Sequence, residues 1–260
     1  MISCIDNFKA ITRNKLIMIV GNYGSGKTEV SVNMAIAAAG TGLNVSIADM
    51  DIVNPYFRCR EVQALMRNHG IRVVIPSGEM NSADTPIILP ETRGMLDPQE
   101  GFVNIFDVGG DPVGARILAG FRNHLIDSRY ELWQVINSRR PFTDTLEGCL
   151  KMRSDIEFAS RLKVTGIIAN SHLVLETTPD VILEGYRLAL AVSSASGIPL
   201  VFVTVMNTLF DETLLSEIKA PVFKMTRRML PPWVKSCDDD EVLPAKRSVP
   251  WGRRIGATDA

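Results

Sequence analysis

Short apolar runs alternate along the chain with longer segments in which apolar residues recur at helical spacing. The runs predict strands at 15–20, 44–48, 71–75, 102–106, 131–136, 164–169, 199–205 and 221–224. The longer segments predict helices at 27–39, 60–68, 112–125, 143–162, 179–195 and 209–218. Because strands that are apolar throughout are buried on both faces, this alternation predicts an α/β fold. Its three layers comprise a mostly parallel sheet of seven or eight strands with helices on both faces.

Two stretches depart from this alternation. Segment 77–99 contains several prolines and polar turns, and its length indicates either a functional loop or a small insertion. Segment 231–260 contains an acidic run at 238–241 together with scattered prolines and glycines, which predict an irregular structure. We therefore expect a main domain at 1–230, followed by a C-terminal extension at 231–260.

A glycine-rich segment follows the first predicted strand and matches the pattern G-x-x-x-x-G-K-[ST] at every fixed position. Its residues, all candidates for nucleotide binding, are Gly21, Asn22, Tyr23, Gly24, Ser25, Gly26, Lys27 and Thr28. The glycines allow backbone conformations in which successive N–H groups turn towards phosphate oxygens, and the helix that follows adds its positive dipole end. Lys27 is expected to reach the β- and γ-phosphates as a catalytic group, and Thr28 to bind Mg²⁺. The segment predicts a P-loop that binds a nucleoside phosphate.

Carboxylates stand at the ends of two other predicted strands. Asp107 follows the fourth strand and precedes Gly110 by three residues, so Asp107 is expected to hold Mg²⁺ through water and the Gly110 N–H to meet the γ-phosphate. Asp49 and Asp51 end the second strand, where a carboxylate can orient the water that attacks the γ-phosphorus. Asp51 is the first candidate for this catalytic role and Asp49 the second. Capping of the next turn is the alternative for both residues.

Composition narrows the classes of function. With 46% hydrophobic and 22% charged residues, the chain of 260 residues can bury a sizeable core. Its net charge of -1 gives no general attraction to nucleic acid or to acidic membranes, so nucleic-acid binding is disfavoured. The segment 1–14 lacks the apolar region of a signal peptide, and no run reaches the ~18 apolar residues of a membrane span. We therefore expect a cytoplasmic protein without a membrane role.

The P-loop, taken together with Asp49-x-Asp51 and Asp107-x-x-Gly110, resembles the MinD/ParA/nitrogenase-iron-protein superfamily, which belongs to the SIMIBI class of P-loop NTPases. The similarity runs from about residue 15 to residue 226. The resemblance implies a P-loop NTPase fold, ATP and Mg²⁺ as ligands, and nucleotide-dependent formation of a homodimer. It also implies switch I at 49–58 and switch II at 107–113, two loops that change with the nucleotide state.

The chain departs from that superfamily at three points. The superfamily's signature lysine, which reaches the partner's site in the dimer, is replaced by the uncharged Asn22. The cysteines, at 4, 59, 149 and 237, do not match the paired spacing that holds a shared iron–sulfur cluster, so no such cluster is expected. The C-terminal segment, with its prolines and acidic run, does not form the basic amphipathic helix with which MinD binds membranes.

The identity of the base is less sharply predicted. A guanine site of the N-K-x-D type places an Asp carboxylate on the N1 and N2 donors of the purine, and neither 137–140 nor 207–210 has that spacing. Asn170 follows the predicted strand at 164–169 and resembles the superfamily's base-contacting Asn, whose amide can both donate to and accept from an adenine edge. The alternative is that Asn170 only caps its loop. The sequence therefore favours ATP over GTP.

The resemblance favours an ATP-binding and ATP-hydrolysing switch or assembly factor that acts on a protein partner. The alternative is a small-molecule ligase of the dethiobiotin-synthetase or cobyrinic-acid-amidase type, which requires a second basic pocket facing the γ-phosphate. Arg58, Arg60, Arg139 and Arg140 are the candidates for that pocket, although loop arginines are more often solvated.

Overall fold

The computed structural model describes residues 11–12, 15–51, 62–75, 90–125 and 130–229. Within them, eight parallel strands form one sheet in the order β3-β2-β4-β1-β5-β6-β7-β8. The strands are β1 (Lys15–Gly21), β2 (Asn44–Met50), β3 (Arg72–Val74), β4 (Phe102–Val108), β5 (Tyr130–Ile136), β6 (Gly166–Ala169), β7 (Leu200–Met206) and β8 (Val222–Met225). Each strand matches a predicted one within two residues at either end, and the predicted parallel sheet is confirmed.

The helices connect successive strands. They are α1 (Lys27–Gly40), α2 (Gln63–Asn68), α3 (Pro90–Arg93), α4 (Asp111–Ala115), α5 (Arg122–Leu125), α6 (Leu146–Ser160), α7 (Pro179–Ser196) and α8 (Glu212–Glu217). Three short 3₁₀ helices lie at Arg116–Phe121, Val174–Glu176 and Asn207–Leu209. The described helices fall short of the length and apolar character that a membrane span requires.

Apolar side chains cover both faces of the sheet. On one face, buried residues of α1 and α2 such as Val30, Met34 and Met66 pack on the strands. On the other face, buried residues from 115–125 and from α6, α7 and α8 pack on the strands, among them Phe121 and Ile156. The three predicted layers, with helices on both faces, are therefore confirmed. Because the strands are covered on both faces, apolar residues predominate along them, and buried polar side chains on the strands, such as Asn104 and Thr204, form hydrogen bonds.

Two predicted helices had wrong boundaries. The helix predicted at 112–125 is instead α4, a 3₁₀ turn and α5, and the close approach of Gly114 to the backbone of Gly109 accompanies the break. The helix predicted at 143–162 is shorter, because Thr145 caps the N-terminus of α6 by accepting from Gly148 N, and Arg161 ends it in a left-handed conformation. Segment 77–99 contains the helical turn α3, and residues 76–89 lie outside the described part of the chain. The extension predicted from residue 231 also lies outside it.

The strand order brings the ends of β2, β4, β1, β5 and β6 to one edge of the sheet, which we call the carboxyl edge. The chain crosses from one side of β1 to the other between β4 and β5, so the strand order reverses beside β1. Open parallel sheets bind ligands at such a reversal.

Candidate nucleotide-binding site

The Gly21–Thr28 segment forms a tight loop between β1 and α1. Gly21, Gly24 and Gly26 have φ values of 145°, 70° and 86°, which side chains other than glycine rarely adopt. A Cβ placed on Gly26 would lie 2.3 Å from Asn170 Nδ2, and one on Gly21 would lie 2.5 Å from the Val135 carbonyl oxygen. The loop therefore needs glycine both for its conformation and for the close approach of its neighbours.

Lys27 begins α1 and is nearly buried, with 7% of its surface exposed. Its Nζ donates to the Asn22 carbonyl oxygen at 3.0 Å. Gly110, which follows β4, approaches the same ammonium group so closely that a Cβ there would lie 2.9 Å from Lys27 Nζ. The structure thus brings Gly110 to the P-loop, as predicted for a residue that contacts the γ-phosphate.

The predicted carboxylates converge beside the P-loop. Asp49 on β2 lies opposite Asp107 on β4 in the register of the two strands, and both are buried. Asp51 is also buried, and its backbone N–H donates to Asp49 Oδ1 at 3.1 Å. Its Oδ1 would lie 3.1 Å from a Cβ placed on Gly109, so the carboxylate faces the start of predicted switch II. Three carboxylates therefore share the carboxyl edge with one lysine of the P-loop.

Asp107 has the surroundings of a carboxylate that binds a cation. Burial, followed by the neighbouring charge of Asp49, raises the pKa of Asp107 to about 7, against hydrogen bonding from Thr28. Ser31 Oγ donates to Asp107 Oδ1 at 3.3 Å, whereas Oδ2 is buried and has no hydrogen-bond partner. A buried carboxylate oxygen without a partner is costly, and a cation or its water ligand would satisfy it.

These surroundings fit Mg²⁺ better than a metal held by protein ligands alone. The described residues contain no group of three acidic, His or Cys side chains arranged to hold a metal by themselves. Mg²⁺ usually keeps several waters and takes one or two protein ligands together with phosphate oxygens. Thr28, whose hydroxyl lies close enough to Asp107 to lower the pKa of its carboxyl group, is a suitable partner of Asp107 for that kind of site.

Side chains from two further loops hold the P-loop from behind. Asn170, which follows β6, donates from Nδ2 to the Ser25 carbonyl oxygen at 2.7 Å, and its Oδ1 accepts from Thr204 Oγ1 at 2.6 Å. Arg140, which follows β5, donates from Nε to the Gly24 carbonyl oxygen at 2.8 Å. Both ends of the Asn170 amide are thus bound inside the protein, to the P-loop and to β7 and not to its own loop, and its predicted contact with a base stays a prediction.

Asn22 connects the P-loop to the loop after β5. Its Nδ2 donates to the Pro141 carbonyl oxygen at 2.6 Å, and its Oδ1 accepts from Tyr23 N at 2.8 Å. Residue 22 is 7% exposed, so its side chain lies inside the protein. Asn22 therefore fixes the P-loop to the loop after β5.

The loops after β5 and β6 are also bound to each other. The buried Asn137 side chain donates to the His172 carbonyl oxygen at 3.2 Å and accepts from the backbone N–H groups of Arg139 and His172. Ser171 Oγ accepts from Ser138 N at 2.9 Å. Because β5 and β6 are adjacent in the sheet, these two loops form one rigid support for the P-loop.

Two polar residues of α1 hold the segment after β8. The Glu29 carboxylate accepts from the backbone N–H groups of Arg228 and Met229, and the Asn33 amide exchanges two hydrogen bonds with the backbone of Thr226. Burial raises the pKa of Glu29 above its ordinary value, although the bonds from Arg228 and Met229 oppose that effect. The segment 226–229 is thereby placed beside the P-loop helix.

His172 lies close to the P-loop, and its Nε2 would be 3.0 Å from a Cβ placed on Gly26. Burial lowers the pKa of His172 to about 4, and the positive charges of Arg140 and Arg227 add to that effect. The imidazole is therefore neutral at pH 7. Arg140 and Arg227 place positive charge on this side of the P-loop.

Large apolar side chains are exposed around the site. Tyr23 in the P-loop is 63% exposed, and Val113, Phe142 and Leu175, from the segments that follow β4, β5 and β6, are also exposed. We call these four residues the apolar rim. The aromatic residues at 56 and 57, which the sequence placed either in the core or at a partner surface, lie outside the described part of the chain.

All the predicted site residues lie in the P-loop or beside it at the carboxyl edge, whereas the supporting residues were missed. Sequence reasoning treated Arg140 as a loop arginine and gave Asn137 no role. The sequence feature that could have identified Asn137 is its polarity directly after a predicted strand, a position that it shares with Asn170.

Comparison with known proteins shows the fold. No family model and no curated protein matches the sequence at a significant level. Among solved structures, the chain is similar to the cell division protein FtsY from Thermotoga maritima, with 22% identity and a TM-score of 0.53. It is also similar to chloroplast FtsY from Physcomitrella patens, with 19% identity and a TM-score of 0.52. The similarity covers 79% of this chain in both cases, and 68% and 65% of the two FtsY chains.

A more distant structure is the signal recognition particle receptor FtsY from Elizabethkingia anophelis in complex with GDP, with 16% identity and a TM-score of 0.48 over 80% of this chain and 64% of that one. It is too dissimilar to inform the nucleotide of this chain. The FtsY structures belong to the SIMIBI class of P-loop NTPases, to which the sequence motifs also pointed. The chain therefore has a P-loop NTPase fold and spans about two thirds of the length of these FtsY structures.

Proposed function

We propose that this chain binds and hydrolyses ATP with Mg²⁺, and that the nucleotide state controls its binding to a protein partner. The observation that carries the proposal is the convergence of Lys27 in the P-loop with Asp49, Asp51 and Asp107 at the carboxyl edge. A P-loop provides the phosphate site, and carboxylates beside it provide for a metal and for an attacking water. The SIMIBI-class fold supports the same conclusion at the level of nucleotide-dependent switches.

Each group has a distinct part in the proposed hydrolysis. The N–H groups of the P-loop and the ammonium of Lys27 hold the β- and γ-phosphates. Thr28 directly and Asp107 through water would hold Mg²⁺, which would supply positive charge to the phosphate oxygens. Asp51 orients a water and accepts its proton as the water oxygen bonds to the γ-phosphorus and the bond to the bridging oxygen breaks. The products are then ADP and inorganic phosphate.

Adenine is the base that the described residues favour. In the segment Asn170-Ser171-His172-Leu173, an apolar residue stands at the position where an N-x-x-D guanine site has its carboxylate. Without that carboxylate, the N1 and N2 donors of guanine lose the partner that distinguishes guanine from adenine. We therefore propose ATP as the substrate, with GTP as the competitor to be tested.

The apolar rim supports a protein partner at the carboxyl edge. Exposed apolar groups that lie together around a binding site mark surfaces for association. Because Tyr23 belongs to the P-loop and Val113 is the last residue of predicted switch II, a partner bound here would sense the nucleotide. A second copy of this chain is one candidate for that partner, and it would have to bind without the signature lysine.

The basic pocket that a small-molecule ligase needs does not form from the described arginines. Arg139 forms an ion pair with Glu184, and Arg140 is bonded to the P-loop. Arg58 and Arg60 lie outside the described residues.

Light scattering combined with a hydrolysis assay tests the proposal. The mass in solution is measured with ADP, with ATP and with GTP, each with Mg²⁺, for the wild type, Asp51→Ala and the control variant Asp97→Ala. Asp97 is exposed and precedes β4, whose opposite end carries Asp107. We expect Asp51→Ala to bind ATP and to hydrolyse it at least ~100-fold more slowly, whereas Asp97→Ala matches the wild type.

The outcomes separate the parts of the proposal. An ATP-dependent dimer that persists in Asp51→Ala supports a homodimeric switch. A monomer in every state restricts the partner to a different protein. Failure of the wild type to bind either nucleotide contradicts the proposed function, and preferential binding of GTP contradicts the assignment of the base.

A further inference from the structure

We propose that Arg140 is a positioning residue for phosphate binding. Its guanidinium orients and polarises the peptide between Gly24 and Ser25, and it supplies positive charge that the P-loop lacks at Asn22. The inference rests on the proposed function, because it assigns a role within the same nucleotide site.

The first support is the contact between Arg140 and Gly24. The Nε–H donates to the Gly24 carbonyl oxygen at 2.8 Å. A Cβ placed on Gly24 would lie 3.0 Å from Arg140 Nε and 3.2 Å from its Cζ, so the guanidinium lies directly against this glycine. The absence of a side chain at residue 24 therefore permits both its φ of 70° and the approach of the arginine.

The second support is that the chain holds Arg140 in place. The Arg140 N–H donates to the Asn137 carbonyl oxygen at 3.2 Å, and Thr143 N donates to the Arg140 carbonyl oxygen at 3.2 Å. In the opposite direction, Asn22 Nδ2 donates to the carbonyl oxygen of Pro141 at 2.6 Å. Two hydrogen bonds of opposite polarity therefore join the P-loop to the loop after β5, and the arginine is not a solvated surface group.

The third support is charge. Within the residues that the structure describes, no carboxylate forms an ion pair with Arg140, whereas the adjacent Arg139 pairs with Glu184. The charge of Arg140 is also felt at His172, whose pKa it helps to lower. An arginine whose charge is not neutralised locally is available to a phosphate anion held by the neighbouring loop.

The physical link runs through the planar peptide. Fixing the Gly24 carbonyl fixes the peptide plane that carries the Ser25 N–H, which donates to the Asn22 carbonyl oxygen at 3.2 Å within the loop. Asn170 fixes the next peptide, which carries the Gly26 N–H. A charged donor polarises the peptide more than a neutral one, which increases the positive character of its N–H end. Arg140 and Asn170 thus hold two successive peptides of the P-loop in fixed orientations, and the arginine adds positive charge beside them.

Three variants separate charge from simple support of the loop. In Arg140→Gln, Nε2 lies the same number of bonds from the backbone as the arginine Nε, so the hydrogen bond can form without charge. Arg140→Lys keeps the charge without the planar group. Arg139→Gln is the matched control, because that arginine is paired with Glu184 instead.

Affinity is measured by titration calorimetry of the full chain with Mg-ADP and Mg-ATP at two salt concentrations. We expect Arg140→Gln to weaken binding of both nucleotides by roughly tenfold to a hundredfold, with a smaller loss at high salt. Arg140→Lys is expected to stay within about threefold of the wild type, and Arg139→Gln to leave affinity unchanged. Circular dichroism checks the folding of each variant.

Arg140→Gln with wild-type affinity would show that the contact is only a support of the loop, and would overturn the inference while the proposed function stands. Equal losses in Arg140→Gln and Arg140→Lys would also overturn it, because charge would then have no part. If Arg140→Gln fails to fold, the nucleotide affinity of Arg140→Lys becomes the test. A loss of affinity well above threefold in Arg140→Lys then contradicts the inference. A wild type that binds neither nucleotide contradicts the proposed function as well.

Discussion

Asp107 lies beside Asp49 in the parallel register of β4 and β2, and both carboxylates are buried at the carboxyl edge of the sheet. Two carboxylates that are buried close together repel each other, and neither is well solvated. Such an arrangement reduces the stability of the folded protein unless a cation is present. The pair is therefore a feature of a binding site that the fold tolerates at some cost in stability.

Substitution of Asp107 by Asn is expected to stabilise the protein in the absence of Mg²⁺. Because the folded-state pKa is raised to about 7 from 3.8, the folded protein holds a proton that the unfolded chain has lost between these values. The free energy of unfolding of the wild type therefore falls as the pH rises from about 4 through 7. The gain in Asp107→Asn should be small near pH 4 and complete by pH 8, as measured by urea unfolding.

Asp97→Asn, at an exposed carboxylate, is the control for that experiment. A difference between Asp107→Asn and the wild type that does not change with pH would contradict the prediction. Asp107→Asn should also lose the Mg²⁺-dependent part of its nucleotide affinity.

Because of His172, the free energy of unfolding is expected to fall in acid. Burial, with Arg140 and Arg227, lowers its folded-state pKa to about 4 from 6.5, so the unfolded chain binds a proton that the folded protein does not. The full free energy of unfolding is present above pH 6.5, and the part that depends on neutral His172 is lost as the pH falls towards 4. His172→Gln should therefore lose less free energy of unfolding between pH 7 and pH 4 than the wild type. His69→Gln, at an exposed histidine, should behave as the wild type, and parallel pH curves for all three proteins would refute the assignment.

Replacement of Gly26 by Ala is expected to damage the P-loop. The new Cβ would lie 2.3 Å from Asn170 Nδ2, in a residue whose φ is 86°. We expect a loss of ~1–3 kcal/mol in the free energy of unfolding, together with loss of nucleotide binding. Gly40→Ala is the control, because nothing lies within 4 Å of its Cβ and the residue ends helix α1. That variant should be as stable as the wild type or more stable, and nucleotide affinity retained in Gly26→Ala would contradict the role of the loop.

Asn170→Ala distinguishes support of the P-loop from contact with the base. The substitution leaves the Ser25 carbonyl oxygen without its donor, and we expect a loss of ~1–3 kcal/mol in stability. If the amide acts only on the loop, the affinities for ADP and GDP should fall by the same factor in calorimetry. A loss confined to one base would show direct contact with that base. Thr204→Ser, which keeps the hydroxyl bonded to Asn170 Oδ1, is the control.

The strands and the P-loop were predictable from local pattern. Each strand is mostly apolar, and Gly21–Thr28 matches a motif whose conformation needs glycine at fixed places. The convergence of Asp49 and Asp107 was also predictable, because all parallel strands end at the same edge. Helix ends were less predictable, since the turn that contains Thr143 is held by a side-chain hydrogen bond to the Asn137 carbonyl oxygen, six residues earlier, and not by a helical bond.

The contacts that support the P-loop depend on which strands are neighbours. Arg140 and Asn170 are 116 and 145 residues from the loop carbonyl oxygens that they bind. Periodicity along the chain records which faces are buried, but it contains no information on the order of strands across a sheet. The order β1-β5-β6 places the two supporting loops next to the P-loop.

The sequence by itself determined the α/β class, the parallel sheet, the P-loop and the edge at which its carboxylates meet. These features follow from local backbone preferences, from burial patterns and from the common direction of parallel strands. Only the tertiary structure decided that Asn22 turns inwards to Pro141, that Arg140 lies against Gly24, and that the Asn170 amide is bound at both ends. Those contacts join residues 34 to 145 positions apart, and their formation depends on the packing of adjacent strands and loops and not on the residues' own local preferences.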